Sequence, residues 1–213
     1  MKETRDLHLI SFETCPYVER SRIVLEEKDV EHDLTFIDLS DKPDWFLEIS
    51  PRGKVPVLLV DDEPIFESNV INELLEELYP DPRMLPEDPV ERARHRSWIV
   101  FNNDVLMGAA ATLWFERDDE DAVQDARERL RDGFSKIDEE LADRDSGPYF
   151  AGGDFGLVDA VYAPLFNRWE AAAELGHGDL LEDFDQLRAY GDALVQRESV
   201  RSARADDLTD RIL

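Results

Sequence analysis

Leu7-His8-Leu9-Ile10-Ser11-Phe12-Glu13-Thr14-Cys15-Pro16-Tyr17-Val18 is the stretch on which the fold turns. Leu7–Phe12 is short and apolar-rich, as a strand is. Thr14 precedes Cys15-Pro16, and a proline suits the first turn of a helix because its missing N–H is not needed there. Val18, Ile23, Val24 and Leu25 carry that helix to about Lys28. Leu34, Phe36 and Ile37 mark a second strand, and Pro43-Asp44-Trp45-Phe46-Leu47 starts a short helix that Ser50-Pro51-Arg52-Gly53 ends. Val55–Val60 and Pro64–Phe66, joined by the acidic turn Asp61-Asp62-Glu63, read as a β-hairpin. Ser68 then caps a helix whose Val70, Ile71, Leu74, Leu75 and Leu78 keep helical spacing as far as Tyr79-Pro80. The order βαβα–ββα predicts a mixed sheet flanked by helices over residues 1–80.

Residues 81–88 are proline-dense and read as a linker. Residues 89–213 look helical throughout. One long helix is expected over Val90–Phe115, with Trp98, Phe101, Val105 and Thr112 near one face. Others follow at Asp121–Leu141, at Phe155–Glu174, apolar enough to be central, and at Leu187–Val195. The expected fold class is α/β plus all-α.

Composition limits the function. Net charge is −27, from 51 acids against 24 bases, a surface that repels phosphate backbones and anionic lipids. Neither nucleic acid nor a membrane is an expected partner, and the longest apolar runs fall far short of the roughly 18 residues of a membrane span. Only five lysines occur, and the acids are dispersed, as suits a halophilic protein working in concentrated salt. The start lacks a secretory apolar region, so a cytoplasmic protein is expected. His8, His32, His95 and His177 show no ligand spacing and the single cysteine excludes a disulfide framework, so no metal site is expected.

Cys15 is the candidate nucleophile. At a helix start its sulfur faces unpaired backbone N–H groups and the positive end of the helix dipole, which favour the thiolate that attacks a disulfide. Val18 stands where a second cysteine would complete a C-x-x-C pair, so any such chemistry is monothiol. The plain alternative is a small buried apolar side chain.

Several runs in order, Cys15-Pro16-Tyr17-Val18-Glu19-Arg20-Ser21-Arg22, Lys42-Pro43-Asp44-Trp45-Phe46, Val55-Pro56-Val57-Leu58 and Phe66-Glu67-Ser68, resemble omega-class glutathione transferases and their bacterial relatives. Gly153-Asp154-Phe155-Gly156-Leu157-Val158-Asp159 resembles that family's capping motif, with Gly156 in place of the usual Ser or Thr. The resemblance implies an N-terminal thioredoxin-like domain that binds glutathione, followed by an all-helical domain that shapes an acceptor pocket, and a homodimer. It implies that Cys15 forms a mixed disulfide with glutathione, the co-substrate. Tyr17 would lie beside the bound thiol, Val55 would pair its backbone with the cysteinyl part, and Pro56 would be cis. Glu67 and Ser68 would hold the γ-glutamyl end; a carboxylate can accept from the ammonium, and a hydroxyl with helix N-terminal amides can bind the carboxylate. Lys42 matches a basic position near the glycyl carboxylate. Lys54, beside Val55, departs from the usual apolar residue. Asp159 reads as structural, holding the Gly156 amide. Acceptor-pocket candidates are Trp114, Phe115, Tyr162, Phe166 and Trp169.

The implied activity is glutathione-dependent thiol transfer or reduction of a small disulfide or electrophilic substrate, dehydroascorbate among them. The rivals are a conjugating transferase that activates glutathione with Tyr or Ser, a non-enzymatic regulatory protein on the same fold, and a glutathionyl-hydroquinone reductase. The last usually carries a longer N-terminal extension and a Pro-Trp-Cys-type motif, absent here.

Overall fold

The computed structural model describes residues 5–116, 118–144 and 147–213. The chain divides into two compact units, one up to Arg83 and the other Met84–Leu213, so the division falls within the proline-dense segment.

The first unit contains β1 (Leu7–Ser11), α1 (Pro16–Glu27), β2 (Asp33–Phe36), α2 (Asp44–Ile49), β3 (Val57–Val60), β4 (Glu63–Phe66) and α3 (Ser68–Leu78). The four strands form one sheet in the order β2-β1-β3-β4. β1 runs parallel to β2, which requires a crossover, and α1 supplies it. β3 is antiparallel to both β1 and β4. The β3–β4 turn sets Asp61 and Asp62 at φ 50° and 70°, the geometry that matches a two-residue turn to strand twist. Asp61 is fixed there by Arg5 at 2.6 Å and the Asp6 N–H at 2.9 Å.

Leu9, Ile10, Val57 and Leu58 on the sheet, Ile23, Val24 and Leu25 on α1, Phe46 on α2, and Ile71 and Leu75 on α3 are buried. Where α1 packs on α3, the buried Ser21 hydroxyl donates to Asn72 Oδ1 at 2.8 Å. Lys28, one residue past α1, is also buried. Its Nζ donates to Glu76 Oε2 at 2.6 Å, to the Tyr79 carbonyl at 2.7 Å and to the Pro82 carbonyl at 2.8 Å. An ammonium has three hydrogens, and each has its acceptor. The ion ties the end of α3 to the unit's last residues.

The second unit contains α4 (Pro89–Phe101), a π-helical turn (Asn102–Met107), α5 (Gly108–Phe115), α6 (Glu120–Ala142), α7 (Leu157–Asn167), α8 (Trp169–Ala172), α9 (Asp185–Gln196), α10 (Glu198–Ala203) and α11 (Leu208–Ile212). Every residue of α7 is buried, which makes it the central helix. On α6, Ala126, Leu130, Phe134, Ile137 and Leu141 form the buried stripe.

Two expectations change here. The single helix expected over Val90–Phe115 is interrupted by the π-helical turn, whose wider winding shifts the register. Buried positions are Ile99, Leu106, Leu113 and Trp114, while Trp98, Phe101, Val105 and Thr112 are only half-buried. The turn packs closely on α6, where a Cβ on Gly133 would lie 2.5 Å from Leu106 Cδ2. The helix expected over Phe155–Glu174 ends at Asn167, because Arg168 Nη1 takes the Pro164 carbonyl at 2.8 Å and the Arg168 N–H turns to Leu165 instead. No helix among the described residues is long and apolar enough to cross a membrane.

Candidate active site

The β-ladder register shows why the sequence motifs meet in the first unit. Ile10 near the end of β1 pairs with Val57 at the start of β3, and Val57 pairs with Phe66 at the end of β4. The segment after β1, the segment before β3 and the segment after β4 therefore emerge at one end of the sheet. They carry Cys15, Val55-Pro56 and Glu67-Ser68, and both α1 and α3 begin there. Helix N-termini at a sheet end point N–H groups at whatever occupies the crevice, and they favour an anion.

Cys15 is the N-cap residue of α1, in extended conformation at φ −74° and ψ 118°, with Pro16 as the first helical residue. Its N–H donates to the Phe12 carbonyl at 3.1 Å and its carbonyl accepts from Glu19 at 3.1 Å, so the backbone holding the thiol is tied on both sides. The residue is half-buried. Tyr17 is partly exposed, and the guanidinium of the buried Arg20 stands 4.7 Å from its ring centroid. Val18 belongs to the core.

The Val55–Pro56 peptide bond is cis. The loop before it is closed by the buried Ser50, whose hydroxyl donates to the Lys54 carbonyl at 2.8 Å and accepts from the Lys54 N–H at 3.0 Å. Gly53 completes the loop at φ 56°, a left-handed conformation that suits glycine. Lys42 reaches this loop: its Nζ lies 3.6 Å from where a Cβ on Gly53 would stand. The Lys54 side chain is exposed.

Glu67 has φ 71° and ψ 115°, a conformation that costs a non-glycine residue on the order of 1–3 kcal/mol and persists only where its surroundings hold it. Such residues gather at ligand clamps. Ser68, expected as the cap of α3, is the first residue inside the helix, and the capping place belongs to Glu67. β4 ends at Phe66, and Glu67 alone makes the turn into the helix. The Glu67 carboxylate accepts from Arg52 Nη1 at 2.7 Å. Residue-by-residue reading passed over both Arg52 and Ser50. The signal available was a cation and a hydroxyl inside the turn that runs into Val55-Pro56.

In the second unit, Asp159 Oδ2 accepts from the Gly156 N–H at 2.7 Å and Oδ1 from the Phe150 N–H at 2.9 Å. Full burial pushes its carboxyl up to about 6 against these stabilising bonds, and burial with the nearby Asp159 pushes the Tyr190 phenol well above its ordinary value. The departure at Gly156 has a steric basis: a Cβ there would stand 2.9 Å from the Met84 carbonyl, which accepts from the Leu157 N–H. Burial also lowers the imidazole of His95, which packs edge-on against Phe150.

The five aromatic pocket candidates are scattered within this unit. Trp114, Tyr162 and Phe166 are buried, the Tyr162 hydroxyl donating to the Trp98 carbonyl at 3.1 Å, while Phe115 is exposed. Phe166 and Trp169 do come together, lining a cavity of about 330 Å³ with Leu181, Gly191, Val195 and Arg188. Among the described residues no cluster of His, Cys, Asp and Glu could hold a metal ion.

A parallel-and-antiparallel sheet with a thiol at the first helix start and a cis-proline opposite it, followed by an all-helical unit, defines the glutathione transferase class. Residues 14–78 match the glutathione S-transferase N-terminal domain and residues 120–193 the C-terminal domain. The chain belongs to the glutathione S-transferase family. It is 33% identical over 195 residues to glutathione S-transferase omega-1 of Sus scrofa, covering 91% of this chain and 78% of that protein. Against glutathione S-transferase DHAR2 of Arabidopsis thaliana the identity is 37%, covering 90% and 84%. The crystal structure of glutathione transferase Omega 3C from Trametes versicolor superposes with a TM-score of 0.85 at 29% identity, covering 99% and 91%.

Proposed function

We propose that this chain is a glutathione-dependent thiol transferase in which Cys15 alone carries the exchange. The observation that carries the reading is the convergence of the Cys15 helix start, the cis Val55–Pro56 bond and the strained Glu67 beside Ser68 at one end of the sheet. Glutathione lies along this edge, its γ-glutamyl ammonium on Glu67 and its α-carboxylate toward Ser68 and the start of α3. The Val55 backbone meets the cysteinyl part, Lys42 and Lys54 supply positive charge for the glycyl carboxylate, and Tyr17 flanks the sulfur.

The Cys15 thiolate attacks the glutathione sulfur of a mixed disulfide, forming a Cys15–glutathione disulfide and releasing the substrate thiolate. A second glutathione thiolate attacks that disulfide, leaves as oxidised glutathione and restores Cys15. With dehydroascorbate, two glutathiones supply the two electrons and two protons and become one disulfide. Exposure to oxidised glutathione should add the mass of one glutathione, removable by reductant and absent in Cys15→Ser. A wild-type chain that stays unmodified sinks the mechanism.

For the acceptor side the candidates are the second unit's aromatic residues, of which Phe166 and Trp169 line a common cavity. The working form is a cytoplasmic homodimer, supported by family resemblance and by the exposed Phe66 and Val70 on the first unit. Sedimentation at a mass near 24.6 kDa would exclude the dimer. The dispersed negative charge suits concentrated salt, so the melting temperature should climb between low and molar salt. A flat curve would remove the halophilic reading alone.

A further inference from the structure

Arg52 and Glu67 form an ion pair at 2.7 Å, with side chains 59% and 51% exposed. A pair so open to water contributes little to stability, on the order of 0–1 kcal/mol, so folding does not require it. Its placement is nevertheless specific. Arg52 sits on the loop that Ser50 closes, between α2 and the cis bond, and its guanidinium lies on the carboxylate whose backbone is strained at φ 71°. Arg52, Lys42 and Lys54 also gather positive charge on one loop system in a chain of net charge −27.

The geometry points to Arg52 as a specificity-determining residue for the zwitterionic γ-glutamyl head. The inference rests on the glutathione reading above and deepens it. Before the ligand arrives, Arg52 holds Glu67 oriented over the start of α3. The ligand's α-ammonium then takes Glu67, and two cations on one carboxylate would repel each other. The α-carboxylate is bonded to the same carbon as that ammonium, so it arrives within reach of the displaced guanidinium. A planar guanidinium matches a carboxylate fork, and an exposed arginine can turn at low cost. The result is a closed exchange of partners, Glu67 to ammonium and Arg52 to carboxylate, that neither charge of the ligand completes alone.

Calorimetry with three S-methylated tripeptides tests this without engaging Cys15 in exchange. They are S-methylglutathione, its glutaryl analogue lacking the α-ammonium, and its 4-aminobutanoyl analogue lacking the α-carboxylate. Arg52→Gln should weaken S-methylglutathione about fivefold, the weight of one partly exposed charged contact, and leave the glutaryl and 4-aminobutanoyl ligands, neither of which completes the exchange, within about twofold. Arg52→Lys should recover most of the glutathione affinity. Unchanged or tighter S-methylglutathione binding in Arg52→Gln would overturn the proposal, as would an equal loss for all three ligands. If the wild-type chain binds none of them, the glutathione reading falls and takes this inference with it; wild-type binding with a uniform loss removes the role of Arg52 alone.

Discussion

The long helices of the two units begin differently. In the second unit each starts on a carboxylate: α4 on Asp88, which accepts from Val90 and Glu91; α6 on Asp119, which accepts from Ala122; α7 on Asp159; and α9 on Asp138, which accepts from the Leu187 N–H at 2.8 Å. In the first unit α1 begins at Cys15 and α3 at Glu67, and neither residue caps its helix through its side chain. Carboxylates are abundant in this chain, so their use at one set of helix starts and not at the other separates two roles. A capped start consumes its own anion-binding capacity in stability. A start left to cysteine or to a strained glutamate keeps that capacity for a thiolate or a ligand.

The sharpest break in this comparison is Cys15→Ser. Disulfide and dehydroascorbate reduction should fall to background while the melting temperature stays nearly constant, because a hydroxyl preserves the backbone bonds but cannot form the mixed disulfide. Retained reductase activity in that variant would place the chemistry elsewhere.

Asp159→Ala tests the opposite role. The buried N–H of Phe150 and the half-buried N–H of Gly156 lose their acceptor, which should cost about 3 kcal/mol of stability in denaturant unfolding. Glutathione affinity of the folded fraction should remain. A smaller effect comes from Glu67→Ala, which should weaken glutathione binding by about 2 kcal/mol with little change in unfolding. Reversed outcomes, a ligand defect at Asp159 and a folding defect at Glu67, would dissolve the distinction.

The weakest expected effect is on pH dependence. The folded-state value of His95 lies below its ordinary 6.5, so the unfolded chain binds the proton more readily and stability is lost as pH falls below that value. Asp159 acts in the opposite sense. Its folded value of about 6 exceeds the ordinary 3.8, so its contribution grows as pH falls from about 6 toward 4. His95→Gln should therefore flatten the acid loss between pH 7 and 5. An unchanged pH profile would show that other groups dominate.

Much of the first unit was legible because its signals are local. Strand runs, the Asp61-Asp62 turn and the proline after Cys15 each depend on neighbouring residues, and the motif order was enough to reveal the family resemblance. Other features depend on distant partners. Asp138 caps a helix 49 residues away, and Lys28 finds Glu76 48 residues on. The helical faces of the second unit were misjudged where the π-helical turn moves the register, since a period of 3.6 presumes an uninterrupted ladder.

By itself the sequence determined the two-part organisation, the monothiol character of any cysteine chemistry and the acidic surface, all set by residue types and short-range order. Only the tertiary structure decided that Arg52 holds Glu67, that Ser50 closes the loop before Pro56, that Trp114 and Tyr162 belong to the core, and that the Met84 carbonyl crowds Gly156. Ser50 bonds within its own loop, to Lys54, but the others are contacts between segments farther apart along the chain. Register and packing bring them within ångströms, and no local propensity encodes that distance.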